Sequence, residues 1–219
     1  MCGIFGFIGN RSAAPLLIEG LRRLESRGYD SSGIVVKNGS LQVHKKVGNV
    51  SELSKILPNH VEGCSGIAHT RWATHGEPND INAHPIKSFN GEFAVVHNGI
   101  IENYKELKKV LLEKGYKFYT ETDTEILVNF IELCVSNSKN IDKGISYALS
   151  RLEGAFGIVL IKKSDPEVMY AARKGSPLAF GKKGTNFFIA SDATPIIEYT
   201  KKIIYLDNGQ LLKINKNEF

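Results

Sequence analysis

A cysteine stands directly behind the initiator methionine and runs into Gly3-Ile4-Phe5-Gly6-Phe7-Ile8-Gly9. Alternating small and large apolar groups read as a buried strand. Chain termini are normally mobile and exposed. A chain that begins this way must build its core around its own first residues, with a thiol fixed at one end of an interior strand. On Cys2 alone, a coding accident at a frayed terminus is the plainer reading. The sharper one is an N-terminal nucleophile: removal of Met1 gives Cys2 a free α-amine, which can serve as its own general base. An α-amine titrates near about 7.8 and a thiol near about 8.5, so passing the proton between them costs only about 1 kcal/mol. A lysine, near about 10.4, would be almost wholly protonated and a poorer base.

The 219 residues allow one large domain or two small ones, with room for a real core. No apolar run approaches the roughly 18 residues of a membrane span. The first ten residues lack a basic stretch, and Arg11 follows the apolar run instead of preceding it, so a secretory signal is not expected. The three cysteines have no metal-like spacing; Cys64, in a strand-like run, and Cys134, on a helix face, are expected to be reduced core thiols. These features point to the cytosol. The net charge of +5 comes from dispersed lysines, as at Lys105, Lys108, Lys109 and Lys114 beside Glu106 and Glu113, which is a solvated face. No basic run is interleaved with aromatics, so nucleic acid is not an expected partner, and neither is a membrane.

Along the chain, Ser12 is placed to cap a helix running to about Leu24, and Arg27-Gly28-Tyr29-Asp30-Ser31-Ser32-Gly33 reads as a polar turn. Strands at 34–36 and 41–46 flank Asn38-Gly39, a hairpin signal. A short helix covers 51–57, and a strand at 66–69 enters a long polar loop from Arg71 to Pro85; loops of that length tend to be functional. A strand at 93–96 ends in His97-Asn98-Gly99. Asn103 with Glu106 resembles a capping pair for a helix closed by Gly115, and Thr122 with Glu125 forms a capping box ahead of the stripe Ile126, Leu127, Phe130, Ile131, Cys134. A helix at 141–152 follows. Strands are then expected at 155–161, 168–173, 178–180, 187–190, 203–206 and 210–214, with Ser191-Asp192 capping a short helix. Nine or ten short strands with hairpin-length links and four sizeable helices give an α+β chain of two packed antiparallel sheets with helices outside.

Chemistry-bearing residues gather in a few places. Arg71, Trp72, Thr74 and His75 put a guanidinium, an indole, a hydroxyl and an imidazole within five residues. An arginine can grip a carboxylate bidentately; an ordinary surface loop around a packed Trp72 fits the same residues. Asn98-Gly99 is either a plain turn or an oxyanion hole made of a side-chain amide and a backbone N–H. Asp123, early in a helix, is either a partner of the helix dipole or an acceptor for a ligand ammonium. His44 and His60 read as surface residues, and His69, His84 and His97 as structural; no pair has metal-ligand spacing, so neither metal nor cofactor is expected.

Taken together, Cys2-Gly3-Ile4-Phe5-Gly6, Arg27-Gly28-Tyr29-Asp30-Ser31, His69-Thr70-Arg71-Trp72-Ala73-Thr74-His75-Gly76, His97-Asn98-Gly99-Ile100-Ile101-Glu102-Asn103 and Glu121-Thr122-Asp123-Thr124-Glu125 resemble the glutaminase domain of the glucosamine-6-phosphate synthases, within the class II, N-terminal-nucleophile glutamine amidotransferases. Gly175-Ser176-Pro177 and Ala190-Ser191-Asp192 also fit, and the blocks span nearly the whole chain. The resemblance implies a four-layer αββα sandwich and hydrolysis of L-glutamine to glutamate and ammonia. It implies Cys2 as nucleophile, Asn98 and Gly99 as oxyanion hole, and Arg27 beside the nucleophile. Arg71 would hold the substrate carboxylate and Asp123 its ammonium, and Trp72, Thr74 and His75 would form the closing loop. Residues 1–219 would be one type 2 amidotransferase domain. Sugar-phosphate isomerase domains, absent from this chain, would use the ammonia to make glucosamine 6-phosphate from fructose 6-phosphate in a cytoplasmic homodimer, the isolated domain being a monomer. Two other readings remain open: a non-catalytic ligand-binding domain of the same fold, favoured if Met1 is retained, and an amidotransferase serving a different ammonia acceptor.

Overall fold

The structure, a computed structural model, describes residues 2–72, 76–165, 167–215 and 218. In chain order its elements are β1 (Gly3–Ile8), α1 (Ala13–Leu24), a 3-10 turn (Glu25–Arg27), β2 (Ser31–Asn38), β3 (Ser40–Val47), α2 (Val50–Ile56), β4 (Ser65–Arg71), β5 (Ile86–Lys87), β6 (Phe93–Ile101), α3 (Tyr104–Glu113), α4 (Asp123–Ser136), α5 (Ile141–Ser150), β7 (Gly154–Lys162), β8 (Val168–Lys174), β9 (Ala179–Lys183), β10 (Asn186–Ala190), α6 (Thr194–Ile197), β11 (Ile203–Tyr205) and β12 (Leu211–Asn215). One sheet has seven strands in the order β11-β9-β10-β1-β4-β2-β3, and the other has five in the order β12-β8-β7-β6-β5. Every strand pairing among the described residues is antiparallel.

The period-2 alternation along β1 shows how four layers arise. Phe5 and Phe7 point outward and pack with Leu17 and Leu21 of α1. Ile4 and Ile8 point inward, into a second core with Val96 and Val159 of the other sheet. The outer face of the five-stranded sheet buries Val95, Ile158 and Leu160 beneath Leu111, Leu127, Ile131 and Ile145 of α3, α4 and α5. Three apolar cores therefore separate helix, sheet, sheet and helix, the αββα sandwich expected. β1 lies inside its sheet, paired to β10 on one side and β4 on the other, with Gly3 opposite Thr70. The start of the chain is thus anchored as firmly as a core strand.

Several local expectations change. Ser31 and Ser32, taken as part of a polar turn, are buried inside β2, because the pairing to β3 and β4 continues through them. β6 runs on to Ile101, so Asn98 and Gly99 lie inside a paired strand, opposite Gly157 and Phe156, rather than in a turn beyond its end. The two-residue β5 carried no sequence signal. Cys64, expected in the core, is exposed, one residue ahead of β4, whereas Cys134 is buried as expected. Asn103 occupies the N-cap of α3 without a side-chain cap; its amide instead donates to Arg151 O at 2.9 Å and accepts from Glu153 N at 3.1 Å, tying α3 to the α5–β7 link. Half of the capping box forms: Thr122 Oγ1 accepts from Glu125 N at 3.3 Å, while the Glu125 carboxylate accepts from Tyr119 N and Thr120 N. β11 and β12 flank Asn208-Gly209 but belong to different sheets, so that link crosses the sandwich.

Candidate active site

Cys2 immediately precedes β1, and side-chain hydroxyls from β4 and from the residue that follows β10 pin the backbone behind it. Gly3 N donates to Thr70 Oγ1 at 3.2 Å, and Ile4 N donates to Ser191 Oγ at 2.9 Å. A Cβ on residue 3 would sit 2.6 Å from that Thr70 oxygen and 2.7 Å from Leu24 Cβ, so only glycine allows the approach. The thiol itself lies against Trp72: Trp72 N donates to Sγ at 3.1 Å, and Sγ faces Trp72 O at 3.5 Å. Burial pushes the Cys2 thiol above its ordinary value and Asp30 adds to this, while the Trp72 N–H and Arg71 pull the other way. A sulfur held as thiol at neutral pH needs a base at the moment of attack, which is the task an N-terminal amine can perform.

Across the cavity, β6 presents Asn98 and Gly99. Asn98 Nδ2 donates to Cys2 O at 3.0 Å, and Asn98 Oδ1 meets His69 Nε2, also at 3.0 Å. Gly99 has φ +119°, and a Cβ there would sit 2.0 Å from Ala155 O. The left-handed backbone and the close strand together demand glycine. The amide and the neighbouring backbone are therefore fixed relative to the thiol by hydrogen bonding on one side and by strand packing on the other.

Two opposite charges border the same space. Arg71 ends β4, and its guanidinium donates to Gly76 O at 3.0 Å and Glu77 O at 3.3 Å, which joins it to the loop that follows. Burial lowers its pKa from the usual arginine value, opposed by Asp30, Cys2 and Asp123. Asp123 is the first residue of α4, where the helix N-terminus favours an anion. Its Oδ2 accepts from Ile101 N at 2.8 Å, while Oδ1 lies 4.0 Å from His97 Nδ1. A cavity of about 330 Å³ brings together Cys2, Asn98, Gly99, Arg71, Asp123 and Arg27, with Trp72. Arg27 donates to Asp192 Oδ2 at 3.1 Å, so its charge is shared with that carboxylate. Trp72, read alternatively as a packed side chain, is 49% exposed and meets Tyr29 edge-on at 5.3 Å. Thr74 and His75, expected in the closing loop, lie outside the described residues.

Sequence reasoning gave no individual role to Thr70 and Ser191, whose signal is only their pairing register with Gly3 and Ile4. Ser176, Pro177 and Thr124 stand in the sequence blocks that carry the resemblance, without a role of their own, and they line the cavity too. The three buried histidines form a row rather than a cluster of ligands: the His69 and His84 rings are 4.4 Å apart, and those of His84 and His97 6.5 Å. Burial drives His69 down to about 3 and His84 well below its ordinary value, so both are neutral near pH 7 and neither can supply a proton. Among the described residues no group of His, Cys, Asp or Glu is arranged to hold a metal.

A family model described as a glutamine amidotransferase domain matches residues 69–198. The chain is 50% identical over 222 residues to a Bacteroides thetaiotaomicron protein named glutamine–fructose-6-phosphate aminotransferase (isomerizing). It is 48% identical over 227 residues to the Chlorobaculum tepidum protein of that name. All of this chain is covered in both matches, but only 36% and 37% of those relatives, so it spans just over a third of their length. Among solved structures, the glutamine phosphoribosylpyrophosphate amidotransferase of B. subtilis superimposes with a TM-score of 0.86 at 29% identity, covering 99% of this chain and 48% of that one. A structure described as the allosteric regulatory enzyme of purine biosynthesis gives 0.88, also at 29% identity, with the same coverage. The chain belongs to the glutamine amidotransferase domain family, and its two-sheet α+β fold is that of the N-terminal-nucleophile amidotransferases.

Proposed function

We propose that this domain hydrolyses L-glutamine to glutamate and ammonia, with Cys2 as nucleophile after removal of Met1. The observation that carries the reading is that one cavity holds a thiol, an amide donor fixed beside it, the Arg71 and Arg27 guanidiniums and the Asp123 carboxylate, with Arg27 already paired to Asp192. Glutamine's backbone end is a zwitterion; Arg71 takes its carboxylate and Asp123 its ammonium, which leaves the side-chain amide to reach Cys2. The Cys2 amine accepts the thiol proton as sulfur attacks the side-chain carbonyl carbon. The oxyanion forms against the second Asn98 Nδ2 hydrogen and Gly99 N–H. The ammonium then returns a proton to the departing nitrogen, ammonia leaves, and a γ-glutamyl thioester remains for water to cleave. Trp72, Thr74 and His75 belong to a loop that closes over the substrate, and Arg27 steadies the nucleophile's surroundings through Asp192.

Residues 1–219 serve in this reading as one type 2 amidotransferase domain. Its ammonia goes to fructose 6-phosphate, bound by sugar-phosphate isomerase domains outside this chain, in a cytoplasmic homodimer that makes an amino sugar. The names and the identity of the relatives support that acceptor over a phosphoribosyl one. No helix among the described residues is long and apolar enough to cross a membrane. The test is Cys2→Ala: glutamine turnover should vanish while the far-UV spectrum and melting temperature stay native. Turnover surviving in that variant would remove Cys2 from the role.

A further inference from the structure

Two backbone carbonyls determine where the hydrogens sit around Asn98. The carbonyl of His97 can only accept, so the His69 Nε2 lying 3.1 Å from it carries a hydrogen. That same Nε2–H reaches Asn98 Oδ1 at 3.0 Å. The carbonyl of Cys2 can also only accept, so the Asn98 atom 3.0 Å from it is the amide NH₂. The two constraints are independent, and both place Oδ1 toward His69 and Nδ2 toward the nucleophile. One Nδ2 hydrogen is used on Cys2 O, and the other is left for the cavity that Asn98 lines.

The rest of the His69 ring agrees. Burial holds it neutral, and a neutral imidazole with its hydrogen on Nε2 has a bare Nδ1. Nδ1 is buried against His84 with no hydrogen-bond partner among the described residues. The opposite tautomer would bury an N–H donor with no acceptor and turn a lone pair toward two oxygens. The Asn98 amide would then gain by rotating its NH₂ to His69, which would put Oδ1 where the oxyanion has to form. Resting on the glutaminase reading above, we propose that His69 is a positioning residue: its Nε2–H clamps Asn98 Oδ1 and so keeps the Asn98 N–H facing the reaction centre. His69 acts through Asn98 and does not itself line the cavity.

The test combines steady-state kinetics with a spectroscopic reading of the tautomer. His69→Phe keeps a ring against His84 but removes the donor. A misplaced oxyanion donor forfeits part of the roughly 10²–10³-fold that a lost one costs, so kcat should fall about 10- to 100-fold with KM for glutamine nearly unchanged. His69→Gln restores an N–H donor and should recover kcat to within about fivefold of the parent. In an Asn98→Ala background, His69→Phe should cost almost nothing more, because its path runs through Asn98. Parental kcat in His69→Phe, or a full additive loss on top of Asn98→Ala, would overturn the proposal. If His69→Phe fails to fold, His69→Gln and the wild-type protein still decide: a two-bond ¹H–¹⁵N spectrum of histidine-labelled protein at neutral pH should show His69 as the Nε2–H tautomer, and an Nδ1–H or doubly protonated ring refutes the clamp. If the wild-type protein neither turns over glutamine nor is labelled at Cys2 by a glutamine-mimicking electrophile, the glutaminase reading fails and the catalytic role of His69 with it, while the spectrum reports separately on the clamp.

Discussion

Replacing Asn98 with Ala removes one N–H from the cavity and one hydrogen bond from the Cys2 carbonyl. The first loss is the larger. A preorganised donor to an acyl-transfer oxyanion contributes about 2.7–4 kcal/mol to the transition state, so kcat should drop about 10²–10³-fold. In the proposed mechanism Gly99 N–H, inside β6, remains as the second donor and accounts for residual turnover. The second loss, a neutral hydrogen bond to Cys2 O, is worth about 0.5–1.5 kcal/mol of stability. No buried donor is orphaned, because His69 Nε2–H keeps His97 O at 3.1 Å. The variant should therefore fold, with a stability loss near 1 kcal/mol by urea titration. The proposed function places substrate affinity on Arg71 and Asp123, so KM should change by less than about threefold. Initial rates of glutamate release, measured across glutamine concentrations, separate the two parameters. A fall in kcat smaller than about fivefold, or a loss appearing wholly in KM, would refute the assignment of Asn98 as an oxyanion donor.

Other sites respond differently. Arg71→Ala should raise KM for glutamine about 10- to 100-fold, the value of a charged hydrogen bond of about 1.5–3 kcal/mol, with a smaller change in kcat; an unchanged KM removes Arg71 from carboxylate binding. Asp123→Asn keeps an oxygen for Ile101 N but loses the charge, so KM should rise at least about tenfold while the melting temperature stays within a few degrees, and a normal KM would contradict the ammonium role. His69 falls from its ordinary 6.5 to about 3 on folding, so the unfolded chain binds the proton first and stability present near pH 7 is lost as pH falls through 6.5. Between pH 6.5 and 5 this amounts to on the order of 2 kcal/mol from His69 alone, with a same-signed share from His84, measurable by urea titration; a flat profile that His69→Gln leaves unaltered would refute it. Far from the cavity, Tyr170 donates to Asp142 at 2.7 Å, and Lys213 reaches the other Asp142 oxygen at 2.9 Å, pinning α5 to β8 and β12. Tyr170→Phe should therefore cost about 1 kcal/mol of stability and leave kcat alone; a comparable loss of kcat would mean this pin reaches the site.

Much of the molecule is legible in the chain because the site residues sit in short motifs whose neighbours are also the fold's own signals. The apolar alternation that marks β1 also dictates which face meets α1 and which meets the other sheet. Thr122 marks the start of α4 and thereby places Asp123 at its positive end. Features set by distant pairing are not legible in this way. Nothing local in Ser31-Ser32-Gly33 shows that two strands will flank it, and nothing in Asn98-Gly99 separates a turn from a strand interior; β7 decides that. The same holds for Thr70 and Ser191, ordinary residues whose work comes from lying beside Gly3 and Ile4. The histidine row joins β4, the residues before β5 and β6, so its spacing in sequence carries no trace of the 4.4 Å ring contact. Cys64 borders a strand-like run, and nothing in the sequence marks that β4 begins only at the next residue and leaves the thiol exposed.

The central claim is that a processed Cys2 and a glutamine-shaped cavity work together, and one measurement addresses both: intact mass before and after exposure to 6-diazo-5-oxo-norleucine. The account expects a protein lacking Met1 that gains a single stoichiometric adduct, mapped to Cys2 and suppressed by excess glutamine. Loss of Met1 with no adduct, or an adduct that glutamine does not protect against, would contradict it.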